Sequence, residues 1–401
     1  MKPTLFGYGL TTKAIAKKLG GGCTFFDDNC TETYMDDDNN TIKPSSLFNP
    51  EESQLEVTTP SLKPNHPLIK SAKNLLSEYD YFAKEMPFSI WISGTNGKTT
   101  TTQMLTHILE HRGALSGGNI GTPLAELSTV APIWVLESSS FALHHTHTAS
   151  PNMYLLLPIT PDHLDWHGTE EAYAADKLRP LLTMKEGELA LIPKGLKVPK
   201  THAYVVEYDS DDFICEYFNL DASKLNYKGA FLQDALLSLA MTKVLFDEAD
   251  YDLLNNFTRD AHRQEEFFDA QGRLWVNDSK ATNLDASIQA VKGYADKHIH
   301  LILGGDDKGV DLSPLFSLLE TLKVSVYTIG ANNEKLFGLA KKYHVHAIES
   351  YTIQAAVAHI DADFSQEEVA LLSPAAASFD QFNSYKHRGE TFMDLVKNLK
   401  K

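Results

Sequence analysis

The stretch FSIWISGTNGKTTTTQMLTHILEH, residues 88–111, decides the fold. Its first six residues are mostly apolar and predict a buried strand, whereas residues 99–111 predict a helix. A strand that runs through a glycine turn into a helix is typical of a phosphate-binding loop. The predicted loop residues are Gly94, Thr95, Asn96, Gly97, Lys98, Thr99 and Thr100.

Each residue type in this loop suits a nucleotide triphosphate. Glycines allow successive backbone N–H groups to point at phosphate oxygens, Lys98 supplies positive charge, and the Thr99 hydroxyl can ligate Mg²⁺. Ile92 stands where the longer GxxxxGK[ST] pattern has glycine, so GTNGKT is the correct description. The alternative is an ordinary glycine turn with a solvent-facing lysine, which the spacing and the flanking segments disfavour.

The sequence on both sides of the loop, together with the loop itself, predicts three α/β domains. Near the start, LFGYGLTTKAIAKKLGGGCTFFDD predicts a strand, a glycine turn, a helix and a strand ending at Asp27, and Thr31 to Pro67 predicts loops around short strands. After Asp260, RLWVND, HIHLILGG, VSVYTIG and EEVALLSP predict four strands, with helices near 284–294, 312–321, 333–342 and 352–360. The predicted domains are residues 1–86, 87–260 and 261–401. The outer two are Rossmann-like, and the central one has a mostly parallel sheet.

Composition excludes several classes of protein. Of 401 residues, 36 are Lys or Arg and 53 are Asp or Glu, which gives a net charge of -17 and argues against nucleic acid as a partner. Three cysteines without a CxxC spacing predict neither a disulfide framework nor a cysteine zinc site. Neither a leader-like start nor a run of about 18 apolar residues occurs, so we expect a cytoplasmic protein without membrane insertion.

Two further features bear on ligands. Glu137 follows the apolar run IWVL, at the predicted carboxyl end of a strand, where open α/β sheets hold ligands. Mg²⁺ prefers such oxygen ligands, although a single carboxylate here more often begins a helix. The turn Gly7-Tyr8-Gly9 has Thr12 where a dinucleotide fingerprint has its third glycine, so a ligand turn and a plain strand-to-helix turn remain equally open.

Seven ordered segments resemble the Mur ligases, the ATP-dependent amide-forming enzymes of peptidoglycan synthesis. The last three look specifically like the branch that adds D-glutamate to UDP-N-acetylmuramoyl-L-alanine. The resemblance covers nearly all of the chain and is far more specific than one loop. The segments are GTNGKTT, NIGTP (119–123), ESSSF (137–141), TPDHLDWH (160–167), NDSKATN (277–283), LGGDDKG (303–309) and LLSPAAASFDQF (371–382).

The resemblance implies that residues 1–86 bind the UDP moiety, residues 87–260 bind ATP, and residues 261–401 bind the amino acid and close on the ligands. It implies ATP and two Mg²⁺ ions as cofactors. It also implies UDP-N-acetylmuramoyl-L-alanine and D-glutamate as substrates, and we expect a monomer.

The resemblance also implies roles for single residues. Lys98, His163 and Lys177 match catalytic positions. Thr99 and Glu137 match ligands of one metal ion and His163 a ligand of the second, while Lys177 matches a lysine that is carbamylated in the family. By its own pattern Lys177 would be a solvated helix lysine, and a lone His163 would be structural or exposed.

The remaining matches fall into three groups. Residues that match the UDP-substrate site are Leu10, Thr11, Asp27, Asp28 and Asn119. Residues that match further ATP contacts are Arg263, Asp278 and Lys280. Residues that match the D-glutamate site are Thr282, Lys308, Ser378, Phe379 and Tyr385.

The chain departs from the family pattern in places. GAFLQDALLSLA offers Phe231, Gln233 and Asp234 where the family commonly has an asparagine pair, which puts adenine or ribose contacts in doubt. The end of the second strand, Asp27-Asp28-Asn29, lacks an arginine often found nearby. The cluster of His144, His145 and His147 predicts a solvated helix or loop rather than a metal site, because spacing places no partner acid beside it.

The sequence does not exclude three other kinds of function. A Mur-type ligase for another amino acid, or a folylpolyglutamate synthetase, shares the loop, although NDSKATN and SPAAASFDQF disfavour both. A GTPase or a regulatory ATP switch needs only the loop, but no NKxD guanine-reading segment occurs. A nicotinamide oxidoreductase rests on the weak first glycine turn and the Rossmann-like third domain.

Overall fold

The computed structural model describes residues 2–258 and 260–399. Three six-stranded sheets organise the chain, and helices connect most of their parallel strands. The predicted α/β class, with mostly parallel sheets, is confirmed. The chain divides into two compact units, of which one holds the first two sheets and the other the third.

The first sheet has the strand order β3-β4-β2-β1-β5-β6, and only the β3–β4 pair is antiparallel. As predicted, a strand, a glycine turn and a helix lead to a second strand that ends at Asp27. Its strands are β1 (Thr4–Phe6), β2 (Thr24–Asp27), β3 (Tyr34–Met35), β4 (Thr41–Pro44), β5 (Glu56–Thr58) and β6 (Leu75–Leu76). Its helices are α1 (Leu10–Lys18), α2 (Pro67–Ser71) and α3 (Glu78–Phe82).

The second sheet is entirely parallel, in the order β12-β11-β10-β7-β9-β8. Its strands are β7 (Phe88–Ser93), β8 (Ala114–Gly118), β9 (Ile133–Glu137), β10 (Met153–Leu156), β11 (Leu189–Pro193) and β12 (Tyr204–Tyr208). The helices that follow are α4 (Lys98–Leu109), α5 (Ser140–His144), α6 (Leu164–His167), α7 (Glu170–Leu178), α8 (Asp211–Phe218), α9 (Ala230–Phe246) and α10 (Tyr251–Asn255). Because β9, β7 and β10 are adjacent and parallel, the segments that follow them meet at one edge of the sheet.

The third sheet has the order β13-β14-β18-β15-β16-β17, with β13 antiparallel to β14. Its strands are β13 (Glu265–Phe268), β14 (Leu274–Asn277), β15 (Ile299–Gly304), β16 (Val324–Ile329), β17 (His346–Tyr351) and β18 (Val369–Leu372). Its helices are α11 (Leu284–Gly293), α12 (Ser313–Leu319), α13 (Asn333–Lys342), α14 (Ile353–Asp363) and α15 (Tyr385–Lys397). The four predicted strands and four predicted helices are confirmed, whereas β13, β17 and α15 were not predicted.

Short 3-10 helices complete the described secondary structure: Ser45–Leu47, Pro50–Glu52, Glu110–Arg112, Leu124–Glu126, Arg179–Leu182 and Ala222–Lys224. The three sheets lie within the ranges 1–86, 87–260 and 261–401, while the domain limits themselves stay predictions. One apolar core extends from the first sheet to the second, with Phe25, Phe82 and Trp134 among its buried members. Within residues 2–258 and 260–399, no helix has both the length and the apolar character to cross a membrane.

Candidate functional site

The phosphate-binding loop leaves β7 at the carboxyl edge of the second sheet. Gly94 has a φ of +145°, and a Cβ there would lie 2.5 Å from the Cβ of Leu157. Gly97 has a φ of +81°, and a Cβ there would lie 2.6 Å from Oδ1 of Asp234. Both positions therefore require glycine, because a side chain would be strained and would collide with a packed neighbour. Lys98 begins α4 immediately after Gly97.

The ammonium group of Lys98 lies over its own loop. Its Nζ donates to the carbonyl oxygens of Gly94 at 3.0 Å and Thr95 at 2.7 Å. The Thr95 hydroxyl donates to the carbonyl of Thr160 at 3.0 Å and lies 3.1 Å from the hydroxyl of Tyr173. The loop is thus fastened to the segment that follows β10, and its lysine is held where a phosphate would bind.

Lys177 of α7 is buried beside the same loop. It is 1% exposed, and its Nζ donates to the carbonyl of Gly94 at 2.7 Å. Burial lowers the pKa of Lys177 well below its usual value, and the charge of Lys98 acts in the same direction. The expectation from its own pattern, a solvated lysine, is wrong, because the packing of α7 against the sheet places this side chain inside.

Glu137, the last residue of β9, is also buried, at 2% exposed. Its Oε1 accepts a hydrogen bond from Nδ2 of Asn119 at 2.6 Å. Its Oε2 is buried and has no hydrogen-bond partner among the described residues. An unpaired buried carboxylate oxygen is unfavourable unless a cation or another donor satisfies it. Glu137 therefore fits a metal ligand, and the predicted substrate contact Asn119 lies against it.

His163 lies at the start of α6 in a left-handed backbone conformation, with a φ of +53°. Its side chain is 42% exposed. The ring packs edge-on against Phe141 at a centroid distance of 4.8 Å, and Nε2 is 3.6 Å from Oδ2 of Asp162. His163 lies three residues after Thr160, whose carbonyl accepts the hydrogen bond from the Thr95 hydroxyl. The predicted catalytic residues Lys98 and His163 therefore lie on segments that a hydrogen bond joins.

The prediction of a solvated histidine segment is wrong for His145, which is 3% exposed, whereas His144 is half-buried and His147 is exposed. Burial lowers the pKa of His145 to about 4. Nδ1 of His144 lies 2.9 Å from Asp176, and Nδ1 of His167 lies 2.8 Å from the same carboxylate. Asp176 is the acid that spacing did not reveal, and it precedes Lys177 in α7. It positions the helix that carries the buried lysine.

Four of the five predicted UDP-substrate residues lie at the turn between β1 and α1 or at the adjacent end of β2, whereas the fifth, Asn119, lies against Glu137. Asp27 accepts hydrogen bonds from the backbone N–H groups of Tyr8 at 2.7 Å and Asn29 at 2.8 Å, which holds the two strand ends together. Leu10 is 63% exposed at the start of α1, beside the half-buried Thr11. An exposed leucine above a rigid turn suits contact with a ligand. Asp28 is exposed and lies 2.9 Å from Nε2 of His66.

The segment in which the resemblance would place an asparagine pair contributes Asp234. Its Oδ1 accepts a hydrogen bond from the hydroxyl of Thr101 in α4 at 3.0 Å. Asp234 is 7% exposed and is the neighbour that excludes a side chain at Gly97. The missing asparagine pair is visible in the sequence, but the contacts of Asp234 with Thr101 and Gly97 are not. Phe231 is buried and Gln233 is half-buried.

In the second unit, the predicted nucleotide contact Arg263 precedes β13, and Asp278 and Lys280 follow β14. Asp278 is buried at 7% exposed and accepts hydrogen bonds from the Ser373 hydroxyl at 2.9 Å and the Gln264 backbone at 3.2 Å. Burial raises the pKa of Asp278 to about 7. The Nζ of Lys280 lies 4.2 Å from the ring centroid of Tyr385, and Arg263 is half-buried.

The predicted D-glutamate residues follow β14, β15 and β18 at the carboxyl edge of the third sheet. Thr282 and Lys308 are exposed, Ser378 is 2% exposed and Phe379 is 75% exposed. The loops carrying Lys308 and Ser378 are joined by a backbone bridge between Asp306 and Ala377. The structure thus brings the loops of Lys308 and Ser378 together and leaves the Lys308 and Phe379 side chains in solvent.

Arg388 of α15 is a structural residue that sequence reasoning missed. It is 1% exposed, and Nη2 donates to the carbonyls of Ser279 at 2.9 Å and Ala376 at 3.1 Å. Burial lowers the pKa of Arg388 to about 10. The side chain ties the segment after β14 to the segment after β18, and so fixes the backbone that presents Thr282 and Ser378.

Comparison with known proteins adds three findings. A family described as the Mur ligase middle domain matches residues 92–228. The chain is 48% identical to a Campylobacter jejuni protein over 100% of both chains, and 45% identical to a Helicobacter pylori protein over 99% of both. Both relatives are named UDP-N-acetylmuramoylalanine–D-glutamate ligase. A solved MurF ligase from Thermotoga maritima, in complex with ADP, has a similar fold, with a TM-score of 0.60 at 15% identity over 86% of this chain and 88% of that one.

Proposed function

The chain belongs to the Mur ligase family, and from that premise we propose that it joins D-glutamate to UDP-N-acetylmuramoyl-L-alanine at the expense of ATP. The full-length likeness to two relatives named for this reaction supports the choice of substrates. The observation that carries the chemistry is the pair of lysines at the phosphate loop, because the half-buried Lys98 and the buried Lys177 both donate to the carbonyl of Gly94.

Amide formation needs an activated acid, because hydroxide is a poor leaving group. In the proposed reaction the carboxylate of the UDP-sugar substrate attacks the γ-phosphate of ATP in line and forms an acyl phosphate. The amine of D-glutamate then attacks the acyl carbonyl, and phosphate leaves. Gly94 to Thr100 hold the triphosphate through backbone N–H groups, and Lys98 stabilises the charge that spreads over the transferred phosphoryl group.

The residues present fit the two Mg²⁺ ions that the family implies. The buried Oε2 of Glu137, which lacks a partner among the described residues, suits a cation, and the Thr99 hydroxyl can serve the same ion. We assign His163 to a second ion. When bound, the ions neutralise phosphate oxygens and stabilise the developing charge.

Lys177 is proposed to carry a carbamate. A neutral amine can add to CO₂, forming an N–C bond and releasing a proton, whereas an ammonium cannot. The lowered pKa of Lys177, caused by burial and by the charge of Lys98, favours the neutral amine. The resulting anion is an oxygen ligand, which the lysine itself is not.

The other site residues are assigned by the same reasoning. Leu10, Thr11, Asp27, Asp28 and Asn119 are proposed to contact the UDP-sugar substrate. Arg263, Asp278 and Lys280 are proposed to contact the nucleotide. Lys308 can pair with a carboxylate of D-glutamate, and the hydroxyls of Thr282 and Ser378 can donate to its oxygens, with Phe379 and Tyr385 beside them. The monomeric state and the cytoplasmic location stay predictions.

The test is ADP formation from ATP by the purified chain with UDP-N-acetylmuramoyl-L-alanine, comparing D-glutamate, L-glutamate, other amino acids and none. We expect ADP only with D-glutamate, together with a product whose mass equals the sugar nucleotide plus one glutamyl residue. ADP formation with a different amino acid would replace the proposed substrate. ADP formation that ignores the amino acid would reject the ligase reaction.

A further inference from the structure

Three polar side chains meet at the amino-terminal edge of the third sheet, opposite the edge that carries the predicted substrate residues. His298 directly precedes β15, His300 lies within it, and Glu368 directly precedes β18. Strands β15 and β18 are parallel neighbours, with Ile299 opposite Val369. Residues two apart on a strand point to the same face, so the register places both imidazoles beside the carboxylate.

The donor atoms converge closely. Nδ1 of His298 lies 2.9 Å from Oε1 of Glu368, and Nε2 of His300 lies 3.0 Å from Oε2. The three ligand atoms all lie within 4.8 Å of one another. A tetrahedral ion with bonds of about 2.0–2.1 Å separates its ligand atoms by about 3.3 Å. Small side-chain shifts would therefore open the cluster enough for an ion.

Neighbouring groups already fix the orientation of both rings. The other nitrogen of His298, Nε2, lies 3.1 Å from the Ser325 hydroxyl, and that of His300, Nδ1, lies 2.9 Å from the Tyr327 hydroxyl. Histidines that bind metals usually have their second ring nitrogen hydrogen-bonded in this way, because that contact fixes the tautomer and the ring direction.

A cavity of about 640 Å³ opens next to this cluster and is lined in part by His298 and Glu368. Glu320 and Lys323 supply its other charged groups, and His344 and His346 also line it. Water or a small ligand can therefore reach an ion at the cluster.

We propose that His298, His300 and Glu368 bind one divalent transition-metal ion of the zinc type. Two imidazoles and one carboxylate form a donor set that suits Zn²⁺ with a fourth position left for water, whereas Mg²⁺ prefers an all-oxygen set. The site is separate from the ATP and D-glutamate residues, so it stands independently of the proposed ligase reaction. The bound ion links the starts of β15 and β18.

The test titrates the full chain with Zn²⁺ in excess Mg²⁺, against a chromophoric chelator, and compares His298→Gln, Glu368→Gln and His346→Gln. The last variant is the matched control, because His346 lines the same cavity without belonging to the cluster. We expect the Zn²⁺ affinity of this site to fall at least tenfold in the first two variants and to be unchanged in the control.

Several outcomes would overturn the proposal: no Zn²⁺ binding by the unaltered chain, binding unaffected by the first two changes, or equal loss in all three variants. Glu368→Gln leaves one acceptor oxygen where Glu368 has two, so the contacts to the Ser365 backbone and to both histidines cannot all be kept, and that variant can fail to fold. A Co²⁺ absorption spectrum of the unaltered chain then provides a second measurement. Intense visible bands of tetrahedral Co²⁺ that disappear in His298→Gln would support the site, and their persistence would reject it.

Discussion

The carboxyl edge of the second sheet buries two of its predicted functional groups, whereas the carboxyl edge of the third sheet exposes two of its own. At the second sheet, Lys177 and Glu137 are 1% and 2% exposed and are held by hydrogen bonds. At the third sheet, Phe379 is 75% exposed and Lys308 lies in solvent. The first edge holds its side chains by contacts within the chain, whereas the second presents exposed side chains on a backbone joined by the Asp306–Ala377 bridge.

The difference has a physical cause. Charges that are buried at the second sheet would be unfavourable unless other groups compensate them, so the chain must fix their geometry in advance. A pocket for an amino acid must let its ligand enter, so it can keep exposed side chains on a fixed backbone. Preorganised charge stabilises a transition state most strongly. We therefore expect substitutions at the second sheet to lower turnover, and substitutions at the third sheet to weaken substrate binding.

The largest effect is expected from Lys98→Ala. Loss of a preorganised cation at the phosphates should lower kcat by about 10³-fold or more, as measured by ADP release with both substrates present. Lys342→Ala in α13 serves as the control for removal of a lysine from a helix. Phosphate release at the parent rate in Lys98→Ala would show that the loop has no catalytic role.

Lys177→Ala sharpens the comparison further. We expect a loss of activity of about 10²-fold or more, because the metal ligand supplied by the carbamate disappears. Small carboxylates such as acetate or formate should restore part of the rate, since they can occupy the vacated space. The same acids should not rescue Lys98→Ala. If Lys177→Ala stays fully active without added acid, the carbamate assignment is wrong.

Lys308→Ala tests the third sheet. Loss of a hydrogen-bonded charge pair costs about 1.5–3 kcal/mol, so the KM for D-glutamate should rise roughly 10- to 100-fold. The kcat and the KM for ATP should change much less. Lys341→Ala, which removes an exposed lysine of α13 in the same unit, is the control for loss of a lysine charge. An equal rise in the KM for ATP would remove Lys308 from the amino-acid site.

The smallest effect concerns pH and Asp278. Burial raises the pKa of Asp278 from 3.8 to about 7 in the folded chain. The folded state therefore binds this proton more tightly than the unfolded state, so the stability that Asp278 contributes is fully present below about pH 4 and is lost as the pH rises from there through 7.

We expect amide hydrogen-exchange protection factors in β14 and β18 to fall about tenfold or more between pH 5 and pH 8 from this group. Asp278→Asn should lack that component, whereas Asp394→Asn, an exposed residue of α15, should keep it. The same pH dependence in Asp278→Asn as in the unaltered chain would show that another group causes it.

Much of this fold can be predicted from local sequence. The phosphate loop is a contiguous pattern, so its strand, glycine turn and helix follow directly from residues 88–111. Strands β13 and β17 escape the same reasoning, because they lie at the two edges of the third sheet and lack a continuous apolar run. An edge strand can remain partly polar, which weakens its sequence signal.

The site depends more on tertiary contacts. The sequence pattern of Lys177 resembles a solvated helix residue, and only the packing of α7 reveals its burial and its bond to Gly94. Asp176 lies 32 residues after His144, so no spacing rule joins them. Glu368 and His298 likewise meet only through the register of two strands. Groups that are distant in sequence require the fold before their chemistry can be inferred.

The most direct test of the account follows an oxygen atom. The substrate is labelled with ¹⁸O in the L-alanyl carboxylate, and the phosphate released during D-glutamate addition is analysed by mass spectrometry. We expect one labelled oxygen in each phosphate, because the carboxylate attacks the γ-phosphate and later leaves one oxygen on it. Unlabelled phosphate accompanied by formation of the amide product would contradict the acyl-phosphate route at the loop.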